Sequence, residues 1–383
     1  MRITGIRERT VSVAGAVRNA AIGFAGMTAS ALVIATDARR GGKPVFGIAF
    51  DSIGRYSHGG LLRERFIPRL LAAAPDAYCD ATGRGVDPLR AFDLVMRDEK
   101  PGGHGERPGA VGLIDAALWD LAAKLEDKPL WAVLAARFGT AAPDAPVAVY
   151  ASGGHYREGD DLAQLRTEIE RHVAAGYTRV KIKVGGAPLA HDLRRIETAL
   201  DALRADGSLA VDCNAALPRE RALAFVDALA AYPLAWIEEP ADPLDFALLA
   251  EVAARCALPL GIGENLFSAA DVLNLLRYGG LRPDRDILQM DISLSYGLTE
   301  YLKILGTLEA HGWSRRQCVP HAGHLFAFNV VAGLGLGGHE TAPSGVFAPR
   351  LPVERGMMRP DDAPGVGFEH AAEFQEVFGE LVA

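Results

Sequence analysis

The stretch Arg179-Val180-Lys181-Ile182-Lys183-Val184 decides how this chain of 383 residues is to be read. Side chains alternate along a β-strand, so Lys181 and Lys183 share one face while Val180, Ile182 and Val184 share the other. On a surface strand the lysines would simply sit in water. A strand in a parallel sheet is covered on both faces and should be almost wholly apolar. Two lysines inside such a sheet need a chemical reason. Burial and mutual repulsion both disfavour a charged ammonium, so the expectation is a lysine pKa lowered toward that of a general base.

Working outward, the stretch lies in a run of strand and helix patterns. Candidate strands are 147–152, 179–184, 209–214, 234–238, 259–264, 287–293 and 317–321, with a short eighth near 334–340. Helical patterns fill the gaps; Leu162, Leu165, Ile169 and Val173 stack on one face and Gly176 ends that helix. Repeated βα units predict a parallel sheet and eight predict a closed barrel, with a doubly wound sheet as the alternative. Upstream, strands over 3–13, 28–37 and 43–50 precede helices over 61–74, 88–96 and 109–137, as in an α+β domain. The expected division is an α+β domain over 1–135 and a barrel over 140–344. The tail 345–383 has no further βα unit and is expected to return to the first domain.

Hydrophobic residues make up 49% of the chain, enough to build large cores. No apolar run is long enough to span a bilayer. The start, MRITGIRERT, has no apolar secretory stretch. Cys79, Cys213, Cys256 and Cys318 show no close pairing, which fits reduced thiols and a cytoplasmic location. A net charge of -8 gives no electrostatic reason to bind nucleic acid. The expected partner is a small molecule, not a nucleic acid or a membrane.

Three acids end successive candidate strands: Asp212 in Val-Asp-Cys-Asn, Glu238 in Trp-Ile-Glu-Glu-Pro and Glu264 in Gly-Ile-Gly-Glu-Asn. Their equal spacing, one βα unit each, puts them on the C-terminal rim of the sheet, where barrels place their active sites. One such acid would merely cap the next helix. Three in phase would repel one another without a cation, and oxygen-only ligands favour Mg²⁺. Glu239 alternates to the other face and is the weaker candidate. Asn214 and Asn265 rank lower still, as ligands or as partners of ligands.

On the far side, Asp291 in Gln-Met-Asp-Ile-Ser and His321 in Val-Pro-His-Ala-Gly-His fall late in neighbouring strands. A carboxylate there can orient the imidazole and support its charged form. His324 is close enough in sequence to be confused with His321. Glu340 ends the eighth strand, where it could face a substrate. Lysines on one side, an Asp–His pair on the other and metal ligands between them suit removal of a proton α to a carboxylate. A cation then stabilises the charge that develops on the resulting enediolate.

These residues resemble the enolase superfamily, in its mandelate racemase-like branch, over nearly the whole chain. Ile114-Asp115-Ala116-Ala117-Leu118-Trp119-Asp120 is similar to that superfamily's long N-terminal-domain helix. The resemblance implies a modified (β/α)7β barrel of the TIM type, an α+β capping domain and a homo-oligomer. It also implies two capping loops over the substrate, near 18–27 and 51–56.

Within the superfamily, Gly54-Arg55-Tyr56, Glu99 to Arg107, Lys183 to Pro188, Leu276 to Gly280 and Ser295 to Leu298 resemble the D-tartrate dehydratases. By that resemblance Lys100 becomes a candidate for a distal carboxylate of the substrate, with Arg55, Ile53, Asn214 and Glu340 as further substrate-binding candidates. Ile53 stands where a polar amide is expected, and Leu325 where a Gln is expected, so a related acid sugar is an alternative substrate. The implied activity is a Mg²⁺-dependent hydro-lyase yielding a keto acid. In it Lys183 is the base, Lys181 its electrostatic partner and His321, oriented by Asp291, the acid that protonates the leaving hydroxyl. A racemase or epimerase with the same residues is the nearest rival, and a catalytically silent binding protein on the same scaffold is the rival from another class.

Overall fold

The computed structural model describes residues 1–12, 18–23, 25–26, 28–51, 58–99, 106–139, 146–342 and 351–382. Strands β1 (Ile3–Ser12), β2 (Thr28–Arg40) and β3 (Lys43–Phe50) form an antiparallel sheet. Helices α1 (Pro88–Val95), α2 (Arg107–Glu126) and α3 (Leu130–Phe138) follow. Helix α2 is buried along nearly its whole length and has no polar face, the pattern of a helix enclosed on all sides. It lies directly on β3, where a Cβ at Gly47 would collide with the Ala117 carbonyl.

Strands β4 (Val147–Ser152), β5 (Arg179–Lys183), β6 (Ser208–Asp212), β7 (Leu234–Glu238), β8 (Leu260–Ile262) and β9 (Ile287–Leu288) pair in parallel and in sequence order. Between them run α4 (Asp161–Ala174), α5 (Leu189–Ala202), α6 (Arg219–Leu229), α7 (Phe246–Arg255) and α8 (Ala269–Tyr278); α9 (Leu298–Ala310) and α10 (Leu325–Leu334) come after β9. Strand β10 (His339–Thr341) pairs in parallel with β4. The remaining gap is spanned by a Leu288–Cys318 bridge and by the Gly337 N–H donating to the Cys318 carbonyl at 2.9 Å. The sheet thus curls into the (β/α)7β barrel that the sequence implied, not the doubly wound alternative.

Local differences have local causes. The expected strand 317–321 has only the bridge at Cys318, after a 3₁₀ turn over Arg315–Gln317. Pro320 has no N–H to give, yet Val319 and His321 on either side still donate to Leu288 and Gln289. The expected helix 109–137 is two helices, because Asp127 takes a left-handed φ of 60° and Pro129 starts afresh. The eighth strand begins later than expected, since Leu334 still belongs to α10 and Gly335, at φ 65°, ends that helix.

The described part of the tail divides. Strands β11 (Val353–Glu354) and β12 (Met357–Met358) form a hairpin against β4, while the chain that follows packs on the N-terminal sheet and helices. There Asp120 accepts from the Val366 N–H, and buried Lys124 bridges Asp120 and Glu369. Past α11 (Ala372–Phe378), Arg7 donates to the Leu381 carbonyl.

His58 closes the base of the N-terminal layer. It is fully buried, with Nδ1 3.0 Å from Asp51 and Nε2 2.8 Å from Glu106. Burial pushes its pKa down, but its bonds to Asp51 and Glu106 and their charges outweigh burial and raise it to about 9. A pKa raised on folding contributes stability that is complete below about 6.5 and lost as pH climbs through about 9. His58→Gln should therefore cost about 3 kcal/mol at pH 6 in urea unfolding, the scale of breaking a buried pair. That difference should shrink steadily between pH 6.5 and pH 9.5; a pH-independent difference would remove the charge from the explanation.

Candidate active site

Strand register places the charged residues at one level. Lys183 pairs with Asp212 across β5–β6, and Asp212 with Glu238 across β6–β7. Glu264 follows β8, and Asp291 follows β9. His321 lies three residues past the Cys318 bridge, and Glu340 is on β10. All of these side chains are buried or nearly so. Asp212, Glu238 and Glu264 each offer an oxygen, and the three lie within 4.8 Å of one another.

The lysines answer the carboxylates. Lys183 Nζ is 2.5 Å from Asp212 Oδ2, and Lys181 Nζ is 2.5 Å from Glu238 Oε1. Lys181 also lies 3.3 Å from Glu340. The expected lowering of the lysine pKa values is not found. For Lys183, burial and Lys181 do pull downward, but Asp212, Glu238 and Glu340 outweigh them and the net shift is upward. Lys181 is likewise raised, by Glu238 and Glu340 against the effect of burial. The two ammonium groups repel each other as expected, but each also meets a carboxylate from a neighbouring strand.

Acids nevertheless outnumber bases here, and the surplus has visible effects. Burial, with Asp212, Glu340 and Glu264 nearby, pushes the Glu238 pKa up to about 7 despite Lys181. Glu264 Oε2 is buried without a hydrogen-bond partner. A buried carboxylate oxygen that makes no hydrogen bond, held within reach of two other carboxylates, suits a hard divalent cation.

On the opposite side His321 Nδ1 is 3.1 Å from Asp291 Oδ2, and Nε2 is 3.5 Å from Glu264 Oε2. Burial lowers the His321 pKa, but Glu264, the Asp291 bond and Glu340 raise it to about 9. His324 is not part of this cluster. Its Nδ1 accepts from the Phe326 N–H at the start of α10, so its proton sits on Nε2, which donates to the Phe50 carbonyl at 3.1 Å.

Asn214 donates from both its backbone N–H and its side-chain amide to Asp212. Glu239 is not turned to the other face as expected. The strand ends at Glu238, and a φ of 37° swings Glu239 back until it accepts from Asn265 at 2.8 Å, beside Glu264. Ile53, Arg55 and Lys100 lie outside the described residues.

Several site residues were not anticipated. Gln289 and Trp236 both donate to Glu238 Oε2, at 2.7 and 3.0 Å. Tyr150 donates to Glu340 at 3.3 Å. Gln289 stands two before Asp291 and Trp236 two before Glu238, so strand alternation was the signal that would have found both. His155 follows β4 and is partly buried near Lys183, and desolvation and Lys183 hold its imidazole neutral with a pKa of about 4.

The profile of the family described as enolase C-terminal domain-like matches residues 164–374. The L-talarate/galactarate dehydratase of Salmonella typhimurium is 30% identical over 278 residues, covering 72% of this chain and 66% of that one. The 3,6-anhydro-alpha-L-galactonate cycloisomerase of Streptomyces coelicolor is 29% identical over 274 residues, 70% of each chain. A solved racemase from Streptomyces coelicolor, with bound magnesium, superimposes with a TM-score of 0.76 at 24% identity over 96% of both chains.

If the carboxylates form a cation site, millimolar Mg²⁺ should raise the melting temperature. Occupancy at a hundred times Kd is worth about 2.7 kcal/mol. Asp212→Asn and Glu264→Gln should each reduce the shift, whereas an equal shift in wild type and both variants would place the bound ion elsewhere.

Proposed function

We propose, because the chain belongs to the enolase C-terminal domain-like family, that it is a Mg²⁺-dependent hydro-lyase acting on a hydroxy acid, with a tartrate-like diacid as the preferred substrate class. The observation that carries this reading is the opposition of Lys183 to the His321–Asp291 pair across the three carboxylates. The dehydratase and cycloisomerase activities of the relatives, both on sugar-derived acids, support it.

Asp212, Glu238 and Glu264 would hold the cation, which supplies positive charge for the substrate carboxylate as it becomes an enediolate. Lys183 takes the α-proton. Its amine shares Asp212 with the cation site, so engaging Asp212 there favours the neutral, proton-accepting form. Lys181, held by Glu238 and Glu340, keeps positive charge beside Lys183 and opposes its protonation. The C–H electron pair first enters the enediolate, and its return to form the Cα=Cβ bond breaks the β C–O bond. His321, oriented by Asp291, gives a proton to the departing hydroxyl. Water leaves, and the enol tautomerises to a keto acid. Glu340 faces the site on the Lys181 side, and Asn214 keeps Asp212 aligned. Lys100, Arg55 and Ile53 are proposed to meet the rest of the substrate.

The protonated His321 serves a second reading equally well, in which it returns a proton to the opposite face and the enzyme is an epimerase. A screen of hydroxy diacids and acid sugars in D₂O with Mg²⁺ separates the two. Lys183→Ala should lose both α-deuterium exchange and product, by about 10²- to 10⁴-fold. His321→Asn should lose keto-acid formation by a similar factor while keeping some α-exchange. Full turnover in excess chelator would end the metal-dependent reading. Inversion at the α-carbon without loss of water would establish the epimerase.

A further inference from the structure

Tyr156 follows His155 in the loop after β4, and its side chain is buried at the seam between two layers. Its phenol oxygen does two things. It donates to Asp192 Oδ1 at 2.6 Å and accepts from the Gly186 N–H at 2.9 Å. The other oxygen of Asp192 accepts from the Gly185 N–H at 2.9 Å. Tyr156 and Asp192 together therefore hold both amides of the turn that begins two residues after Lys183.

The same residue grips the N-terminal layer. Its backbone N–H donates to the Arg18 carbonyl at 3.1 Å in an antiparallel bridge. Two guanidinium groups lie over its ring, Arg195 of α5 at 4.3 Å and Arg18 at 5.0 Å from its centre. Arg195 is fully buried and also donates to the Gly154 carbonyl and to Asp161, which fixes the ring from below.

The segment carrying Arg18 is a turn closed on itself. Arg18 pairs with Gly23, the Asn19 N–H donates to the Ile22 carbonyl, and the Asn19 side chain accepts from the Ala21 and Ile22 N–H groups. These bonds tie the turn's residues to one another. The turn sits directly on Gly186, where a Cβ would lie 2.7 Å from the Tyr156 ring and 3.0 Å from Ala20 Cα. Only the missing side chain at Gly186 lets the turn, the phenol and the Lys183 turn meet.

We propose that Tyr156 is a positioning residue that couples docking of the Arg18–Gly23 turn to the placement of Lys183. This rests on the reading of Lys183 as the base. When the turn is docked, the ring keeps both of its cation contacts and its hydroxyl fixes Gly186, which sets the end of β5. When the turn lifts, the hydroxyl loses its alignment and the lysine loses one support of its strand end. A coupling of this kind is reciprocal, so disturbing either end must loosen the other.

The test is amide hydrogen exchange on the full-length protein, alongside kinetics. Tyr156→Phe keeps the ring, both guanidinium contacts and the backbone bridge, and removes only the hydroxyl. None of the hydrogen bonds within 18–23 involves that hydroxyl. Exchange should nevertheless rise about tenfold, the scale of one lost hydrogen bond, both at 185–187 and at 18–23. Arg18→Met, disturbing the other end, should loosen 185–187 as well. With a substrate in hand, Tyr156→Phe should lower kcat for α-proton removal more than it changes KM. Faster exchange confined to 185–187, or no change at either segment, would overturn the coupling, and so would an unaltered kcat. Absence of any α-proton chemistry in wild type would instead count against Lys183 as base, and the exchange measurement would still decide whether the two segments are coupled.

Discussion

Carboxylates that end adjacent strands of a closed barrel cannot move apart, and most of this site follows from that restriction. Asp212 and Glu238 are fully buried and Glu264 nearly so. In so dry a setting uncompensated like charges are costly. Each is met by a specific answer: Lys183 and Asn214 at Asp212, and Lys181, Gln289 and Trp236 at Glu238. Glu264 keeps an oxygen with no hydrogen bond. The rim is therefore compensated up to the point where one hard cation would complete it. Directly beneath, Tyr150, Ala210, Trp236 and Val319 form a small apolar plug. Such a buried apolar cluster lowers the local dielectric, which strengthens the electrostatics of the charged level.

Water must be kept out from above, and the N-terminal layer is fastened to the barrel accordingly. Asp115 of α2 accepts from the Thr299 backbone and hydroxyl at the start of α9, and Trp119 reaches the same hydroxyl. His324, held neutral by burial, ties the start of α10 to the last residue of β3. Each tie joins the end of a helix or strand on one side to a buried side chain on the other. Their geometry is thereby carried to the rim by rigid elements rather than by loops.

The strand that opens this reading, Arg179 to Val184, was legible because alternation is local: any strand with these letters puts both lysines on one face. Asp212, Glu238 and Glu264 were legible because the βα repeat converts spacing into position on a rim. The lysine pKa shifts were not legible, since their sign depends on carboxylates supplied by other strands at a distance the sequence does not state. Glu239 was misplaced because alternation stops where a strand stops, and one positive φ reverses the face. Pro320 and the Asp127–Pro129 break mattered at boundaries only: they changed where elements end and left their order intact. Gln289 and Trp236 obeyed a rule already in use, but their own letters suggested core, and only their carboxylate partner makes them part of the site.

This division bears on how one rim serves several reactions. Lys183, the three acids and the His321–Asp291 pair stand at or next to strand ends, so on the proposed mechanism the barrel fixes where a proton leaves and where one can be returned. What happens after the proton leaves depends on which substrate group lies near His321. A β-hydroxyl there departs as water, whereas a bare α-carbon there receives the proton on its opposite face. Neither outcome requires a different lysine or a different acid. On the proposed mechanism the choice falls to residues that hold the remainder of the substrate, and the candidates Ile53, Arg55 and Lys100 come before the barrel strands in the sequence. On that reading one fold and one acid–base set could serve dehydration, cycloisomerisation and racemisation alike, with the substrate selected by other residues.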